Sequence, residues 1–170
     1  MEVDWEFEVG GGAPVIDALW AGWIDLRRQP ERLGEIAEAV GFPALGELLA
    51  ALNAPASPLW TAKCDLWEPE VEGCAALACY VDLLPVADQV FSRPDEAEAF
   101  CRQWTARLEP LELPDCQVEL VVRQALVGSV EGLGVTAYLS AEGRDHEEAA
   151  RRLTSALKEF QRTIPAPAAA

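Results

Sequence analysis

The chain has 170 residues, of which 29 are Asp or Glu and 13 are Lys or Arg, so its formal net charge is −16. A surface that neutralises phosphates needs clustered cations, and this chain has too few of them to build one against its own negative field. We therefore expect neither nucleic acids nor anionic membrane surfaces as partners. The shares of hydrophobic residues, 51%, and charged residues, 25%, predict a folded protein with one core.

The amino-terminal segment carries alternating acids where a signal peptide has a basic start and an apolar run. No stretch approaches the roughly 18 continuous apolar residues of a membrane span. Of the five cysteines, Cys64, Cys79 and Cys101 lie within apolar patterns, as small buried thiols do in a reducing compartment. We expect a cytoplasmic protein without a disulfide framework.

The first predicted element is a strand in which apolar and acidic residues alternate strictly. The apolar residues are Val3, Trp5, Phe7 and Val9, and the acids are Glu2, Asp4, Glu6 and Glu8. This period of two predicts one buried face and one row of carboxylates in water. Residues 10–12, three glycines, end the strand. Residues 14–28 are rich in large apolar side chains without a sustained period, which predicts an irregular or partly helical connection packed on the core.

A helical hairpin is predicted next, with helices over residues 30–40 and 43–52. Each helix has a proline at its start, and Gly41 ends the first one. The run Ala-Pro-Ala-Ser-Pro at 54–58 is a rigid connector. It is the best candidate for an internal boundary within a single predicted domain, residues 1–162.

The rest of the chain repeats one pattern, two strands followed by a helix. The predicted strands are 59–68, 74–84, 117–127 and 133–140, and the predicted helices are 94–109 and 145–162. We therefore predict an α+β fold: an antiparallel sheet with helices packed on one face, built from two ββα units in permuted ferredoxin-like order and preceded by a strand and a helical hairpin. The Pro/Ala-rich residues 163–170 are predicted to be a disordered tail.

The predicted strand 74–84 is apolar on both of its faces. Such a strand is typical of the middle of a sheet that is covered on both sides. The second cover is either the helical hairpin or a second subunit. We favour a homodimer.

Several chemical motifs are incomplete in this sequence. The glycines at 10–12 lack the Lys and Ser/Thr of a phosphate-binding loop, and the helix at 43–52 carries no cation for a DNA groove. The one histidine, His146, excludes a His-based metal cluster within one chain. Cys74 and Cys79 are five residues apart on a strand, so they point to opposite faces and cannot hold one ion. We expect no catalytic residue, no metal and no cofactor.

Two regions combine aromatic and charged residues in the way that ligand pockets and interface hot spots do. The first consists of Trp20, Trp23, Asp25, Arg27 and Arg28. The second lies on the first predicted hairpin, where Asp82 interrupts an apolar strand and needs a partner if it is buried. Because Trp60 and Trp67 are seven residues apart, we predict them on opposite faces, with Trp67 exposed. A purely structural role, with tryptophans in the core and arginines paired to acids, stays open.

Two functions follow from these candidates. We favour a non-enzymatic binding or protein-interaction module whose acidic surface meets a basic protein partner, as an inhibitor or immunity protein would. The alternative is a small-molecule-binding protein or small enzyme with a Trp-lined pocket between sheet and helices. A cleft above about 300 Å³ with converging polar groups supports the pocket, whereas a flat acidic face supports the protein partner.

Overall fold

A computed structural model describes residues 1–165 of the chain. Its strands are β1 (Glu2–Glu8), β2 (Ile16–Asp17), β3 (Leu59–Trp67), β4 (Ala75–Pro85), β5 (Cys116–Val127) and β6 (Val130–Gly143). Its helices are a 3-10 helix (Pro30–Glu35), α1 (Ala37–Gly41), α2 (Pro43–Leu52), α3 (Pro94–Leu108) and α4 (His146–Thr163). The protein is thus α+β, with helices packed against one sheet.

The six strands form one sheet in the order β1-β5-β6-β4-β3, with β2 also paired to β5. Strands β3 to β6 pair antiparallel, as predicted. The first strand corrects the prediction of a wholly antiparallel sheet, because β1 and β2 both pair parallel with β5. Parallel neighbours need a long crossover connection, and the hairpins and helices between β2 and β5 provide it. The sheet is therefore mixed.

One face of the sheet, called the covered face below, packs against α2, α3 and α4. Alternate strand residues such as Val81 and Leu120 point to this face, since side chains alternate along a strand. The helices contribute Leu48, Trp104 and Leu157 to the same cluster, and all five side chains are fully buried. Burying one such side chain contributes about 1.5–3 kcal/mol. This cluster is the main core.

Strand β4 is apolar on both faces, but the helical hairpin is not its second cover. Helix α2 packs against α4 on the covered face. On the other side, Ile16 and Ala18 join Leu84 and Ala125 in a second, smaller core cluster. Beyond that cluster the strands present their side chains without a helix from the described part of the chain above them. We call this side the open face.

The predicted helices and strands agree with the structure in position, with small differences at their ends. The first predicted helix is divided into the 3-10 helix and α1, because Ile36 is extended at φ −87° and ψ 109°. Strand β6 is longer than predicted at both ends. Helix α4 continues to Thr163, the first residue of the predicted tail. Residues 166–170 of that tail lie outside the described residues.

Candidate functional site

The two tryptophans of the first candidate region cap the outer edge of β3. The indole N–H of Trp20 donates to the carbonyl oxygen of Ala62 at 3.0 Å, and that of Trp23 donates to Thr61 at 3.2 Å. The register of β3 against β4 shifts between Thr61 and Cys64, as at a β-bulge. A bulge leaves backbone groups outside the regular ladder, and buried ones need other partners. The indoles supply the missing donors.

The charged residues of the same region hold the chain in place instead of lining a cavity with the tryptophans. Nη1 of Arg27 donates to the carbonyl oxygens of Ala54, Ser57 and Leu59 at 3.1–3.2 Å. The Asp25 carboxylate accepts the backbone N–H groups of Arg27 and Arg28. The Arg28 side chain is 87% exposed and lies 3.6 Å from Asp25. Arg27 thus clamps the connector at 54–58, and the five predicted residues do not form one site.

Trp20 and Trp23 line a cavity of about 360 Å³ between the irregular segment and β3, called the edge cavity. Lys63 and Cys64 also line it. Burial raises the pKa of the Cys64 thiol to about 12, and nearby carboxylates including Glu38 add to this effect. The thiol therefore stays protonated, and the edge cavity offers no ready nucleophile.

A second cavity of about 320 Å³ lies on the open face, and we call it the open-face cleft. Residues 14–17 and Trp20 form part of its lining. The polar side chains that line it from four neighbouring strands are Lys63, Tyr80, Asp82, Arg123 and Tyr138. The sheet register explains this convergence, because Tyr80 lies opposite Tyr138 and both residues point to the open face.

Asp82 is a buried carboxylate in the floor of the cleft, 8% exposed. The Thr136 hydroxyl donates to its Oδ1 at 2.6 Å. Burial raises the pKa of Asp82, while the Thr136 bond and the charges of Arg123 and Lys63 act in the opposite direction. No ion pair within 4.0 Å involves Asp82 in the described part of the chain. The partner that the sequence required is therefore a neutral hydroxyl.

The two cations of the cleft differ in how far their charge is already satisfied. Arg123 donates to Glu8 at 2.5 Å and lies over the Tyr138 ring, 5.5 Å from its centroid. Its side chain is 12% exposed, and its buried Nε has no hydrogen-bond partner. Lys63 lies 5.9 Å from the Trp20 ring centroid and, within residues 1–165, has neither a hydrogen bond nor an ion pair. Lys63 is an exposed cation whose charge is not paired with an acid of these residues.

Trp67, Tyr80 and Tyr138 form a group of three touching rings beside the cleft. Their centroids are 5.8–6.5 Å apart. Trp67 is 38% exposed. The prediction that Trp60 and Trp67 lie on opposite faces is wrong, because they pair with Leu84 and Ala78, which are six residues apart on β4. The bulge in β3 inserts a residue between the tryptophans and restores them to one face.

The acids of β1 form a row on the open face, as the alternation predicted. Asp4 lies directly opposite Glu119 on β5. Desolvation, reinforced by the charges of Glu6 and Asp4, raises the pKa of Glu119. Glu8, at the end of the row, is compensated by Arg123. The row therefore carries uncompensated repulsion at its centre.

Sequence reasoning identified Asp82, Trp20 and Trp67 but missed Lys63, Tyr80, Arg123 and Tyr138. A usable signal existed for Arg123, which follows the short apolar run at 120–122 as Asp82 follows the one at 75–81. Tyr80 and Tyr138 are the only tyrosines of the chain. Nothing in the local sequence indicates that the four strands bring these residues together.

Among the described residues, no group of three or more His, Cys, Asp or Glu side chains is placed to hold a metal ion. Residues 1–165 also contain no helix with the length and apolar character needed to cross a membrane. Comparison of the chain with family models, with curated proteins and with solved structures finds no match. The function is therefore inferred from the geometry of the open face.

Proposed function

We propose that the protein binds a small molecule in the open-face cleft. The observation that carries this proposal is the convergence of charged and aromatic side chains from four strands on one cavity of about 320 Å³. Ligand sites are typically concave, apolar for the most part, and supplied with a few convergent polar groups. The exposed Lys63 ammonium and the buried Asp82 carboxylate are such groups. This convergence favours the binding of a small molecule over the docking of a basic protein partner on a flat acidic face.

A binding role is better supported than catalysis by the chemistry of the nucleophiles. Burial raises the pKa values of Cys79 and Cys101 to about 12, as it does for Cys64. Thiols in that state are inert. His146 lies 3.4 Å from Glu68 at the start of α4, among residues that do not line the cleft. The described residues that line the cleft include charged and aromatic groups but no cysteine or histidine.

The test is a screen of a chemically mixed library of small molecules against the ¹⁵N-labelled full chain by NMR. We expect binders to shift the indole N–H signal of Trp20 and the amide signal of Lys63, while the buried indole of Trp104 serves as the internal control. A library of anions, cations, zwitterions and neutral compounds that moves none of the cleft signals would contradict the proposal.

A second candidate function is the docking of a basic protein partner on the acidic row of β1. It is supported by the raised pKa of Glu119, because crowded carboxylates are relieved when a cationic surface approaches. The test is a titration with an oligolysine peptide at increasing salt. We expect binding to weaken with salt and in the double variant Asp4→Asn/Glu6→Gln. The double variant Glu31→Gln/Glu47→Gln carries the same charge change elsewhere and should bind as the native chain does.

We also retain two structural proposals. The strand order β5-β6-β4-β3, with α3 and α4 packed on one face, supports a permuted ferredoxin-like arrangement of the ββα units. A homodimer would place a second copy against the exposed ring of Trp67. It predicts a light-scattering mass of two chains, and a mass of one chain would contradict it.

A further inference from the structure

We propose that the open-face cleft takes a small zwitterion of the amino-acid type, with the ligand carboxylate on the Lys63 ammonium and the ligand ammonium on the Asp82 carboxylate. This inference rests on the proposed function of the cleft and specifies the chemical class of its ligand.

Lys63 and Asp82 are charges of opposite sign on neighbouring strands that do not neutralise each other directly. Cys64, the residue after Lys63, is paired with Val81, the residue before Asp82. Lys63 lowers the pKa of Asp82 through its charge, so the two groups interact, but they form no ion pair within 4.0 Å. Two opposite charges that line one cavity without forming an ion pair match a ligand that carries both signs.

Each of these two groups has unused binding capacity. Oδ1 of Asp82 accepts the Thr136 hydroxyl, whereas Oδ2 accepts no hydrogen bond from the described residues. Every arginine donates a side-chain hydrogen bond or forms an ion pair within the described residues, whereas the two lysines, Lys63 and Lys158, do neither, and of these two only Lys63 lines the cleft. A ligand ammonium and a ligand carboxylate would therefore meet groups that give up no existing hydrogen bond or ion pair with each other.

Ligands with a single charge fit the cleft less well. A plain anion would meet Lys63 but also the carboxylates of Asp82 and Asp17, which line the same cleft. The other cation, Arg123, is already paired with Glu8. A plain cation would meet Asp82 while lying close to Lys63. Only a zwitterion satisfies both the Lys63 and the Asp82 charge.

The walls of the cleft indicate the rest of the ligand. The rings of Trp20, Tyr80 and Tyr138 and the aliphatic side chains of Val15 and Ile16 line it. Aromatic walls favour apolar or aromatic ligand groups. The volume of about 320 Å³ is at the lower end of the range for ligand pockets. We therefore infer an amino acid with an apolar or aromatic side chain.

The experiment compares three probes that share one ring, by isothermal titration calorimetry on the full chain. Phenylalanine carries both charges, 3-phenylpropionate lacks the ammonium, and 2-phenylethylamine lacks the carboxylate. We expect phenylalanine to bind at least about tenfold more tightly than either singly charged probe. Each of those probes makes only one of the two charged contacts, either with Lys63 or with Asp82. Equal affinities for the three probes would overturn the inference.

Two variants assign the contacts to their residues. Lys63→Met should weaken phenylalanine binding about tenfold and leave 2-phenylethylamine unchanged. Asp82→Asn, which retains an acceptor for Thr136, should weaken phenylalanine and leave 3-phenylpropionate unchanged. Lys158→Met, the matched control on the second lysine of the chain, should bind like the native protein. A cooperative thermal unfolding transition at or above the native midpoint in all three variants excludes misfolding as the cause, and native affinity in Lys63→Met would overturn the assignment.

The outcome also separates this inference from the proposed function. If valine, leucine, phenylalanine, tyrosine and tryptophan all fail to bind while other compounds shift the Trp20 indole signal, the zwitterion inference is overturned and the cleft remains a binding site. If no compound of any charge class shifts that signal, both are overturned.

Discussion

The two faces of the sheet are built from the same strands but carry different chemistry. On the covered face, Trp104 is fully buried, stacks on Phe160 with ring centroids 4.3 Å apart and donates its indole N–H to Thr163. On the open face, Trp67 is 38% exposed and touches only partly buried tyrosines. The alternate residues on the covered face therefore provide stability, while those on the open face remain accessible at the surface.

The charges on the two sides also differ in environment. Glu148, on a helix over the covered face, accepts hydrogen bonds from the side chain and backbone N–H of Arg144, and these bonds lower its pKa to about 2. Asp82 on the open face has no such cation, and burial raises its pKa. The Glu148 carboxylate is thus paired with an exposed cation, whereas the Asp82 carboxylate on the open face is buried in the lining of the cleft.

The largest expected effect comes from truncating one tryptophan on each face. Trp104→Ala should lower the free energy of unfolding by about 3–5 kcal/mol, because it empties a fully packed site. Trp67→Ala removes a half-exposed ring and should cost about 1 kcal/mol. Urea denaturation measures both values. Equal losses would show that the open face is packed as a second core, and the distinction between the faces would fail.

The next effect tests the hydroxyl that supports the buried carboxylate. Thr136→Val keeps the shape of the side chain but leaves Asp82 without its donor, which should cost about 1–3 kcal/mol in urea denaturation. Thr136→Ser retains the hydroxyl and is the matched control. In an Asp82→Asn background the cost of Thr136→Val should shrink, because an unpaired neutral amide is less costly to bury. An unchanged cost in that background would mean that Thr136 acts through packing alone.

The third effect is a pH dependence of opposite sign on the two sides. Because folding raises the pKa of Asp82, the folded state holds this proton more tightly, and stability falls as pH rises and the group ionises. The Asp82→Asn variant should therefore match the native chain near pH 3 and become progressively more stable than it toward pH 7. Denaturant titrations across this range measure the difference.

The variant Glu148→Gln tests the opposite pH dependence, on the covered side of the sheet. The pKa of Glu148 is lowered to about 2, so its contribution is present above the ordinary pKa of a glutamate and is lost as pH falls toward 2. The variant should be less stable than the native chain at pH 7, and the deficit should vanish in acid. Glu147→Gln, one residue earlier and more exposed, should show a smaller change. If the stability difference from the native chain changed with pH in the same direction for Asp82→Asn and for Glu148→Gln, the contrast between the two environments would be contradicted.

The smallest effect concerns two acids of the same strand. Asp4→Asn removes one of two like charges that face each other across β1 and β5, and should stabilise the protein by about 0.5 kcal/mol at low salt. Glu8→Gln removes the partner of Arg123 and should destabilise it by about 1 kcal/mol. The Asp4→Asn gain should fade in high salt. Changes of the same sign would show that the position of each acid on the open face is unimportant.

Local pattern was sufficient to predict most elements. The strict alternation at 2–8 and the repeated ββα pattern predicted strands and helices where they occur. The parallel pairing of β1 with β5 was not predictable, since nothing in 2–8 distinguishes a parallel from an antiparallel neighbour. The bulge in β3 was not predictable from the sequence either, and it places Trp60 and Trp67 on the same face instead of on opposite faces.

The candidate site was predictable only in part for a similar reason. Asp82 could be singled out because a carboxylate within an apolar strand needs a partner. Trp20 and Arg27 looked alike as binding residues, yet the first borders both cavities and the second clamps a connector. Which hydrogen bonds each side chain makes depends on residues more than 25 positions away in the chain, so local sequence cannot distinguish the two roles.

The α+β class, the acidic surface and the two-sided nature of the strands can be read from composition and from periods of two and 3.6 residues. Which side of the sheet stays open, and which charges meet there, depends on how the strands pair. Lys63, Asp82 and Arg123 converge because the register of four strands and one bulge place them side by side. Register is a property of paired strands, and it is set by packing across the whole sheet rather than by any one segment.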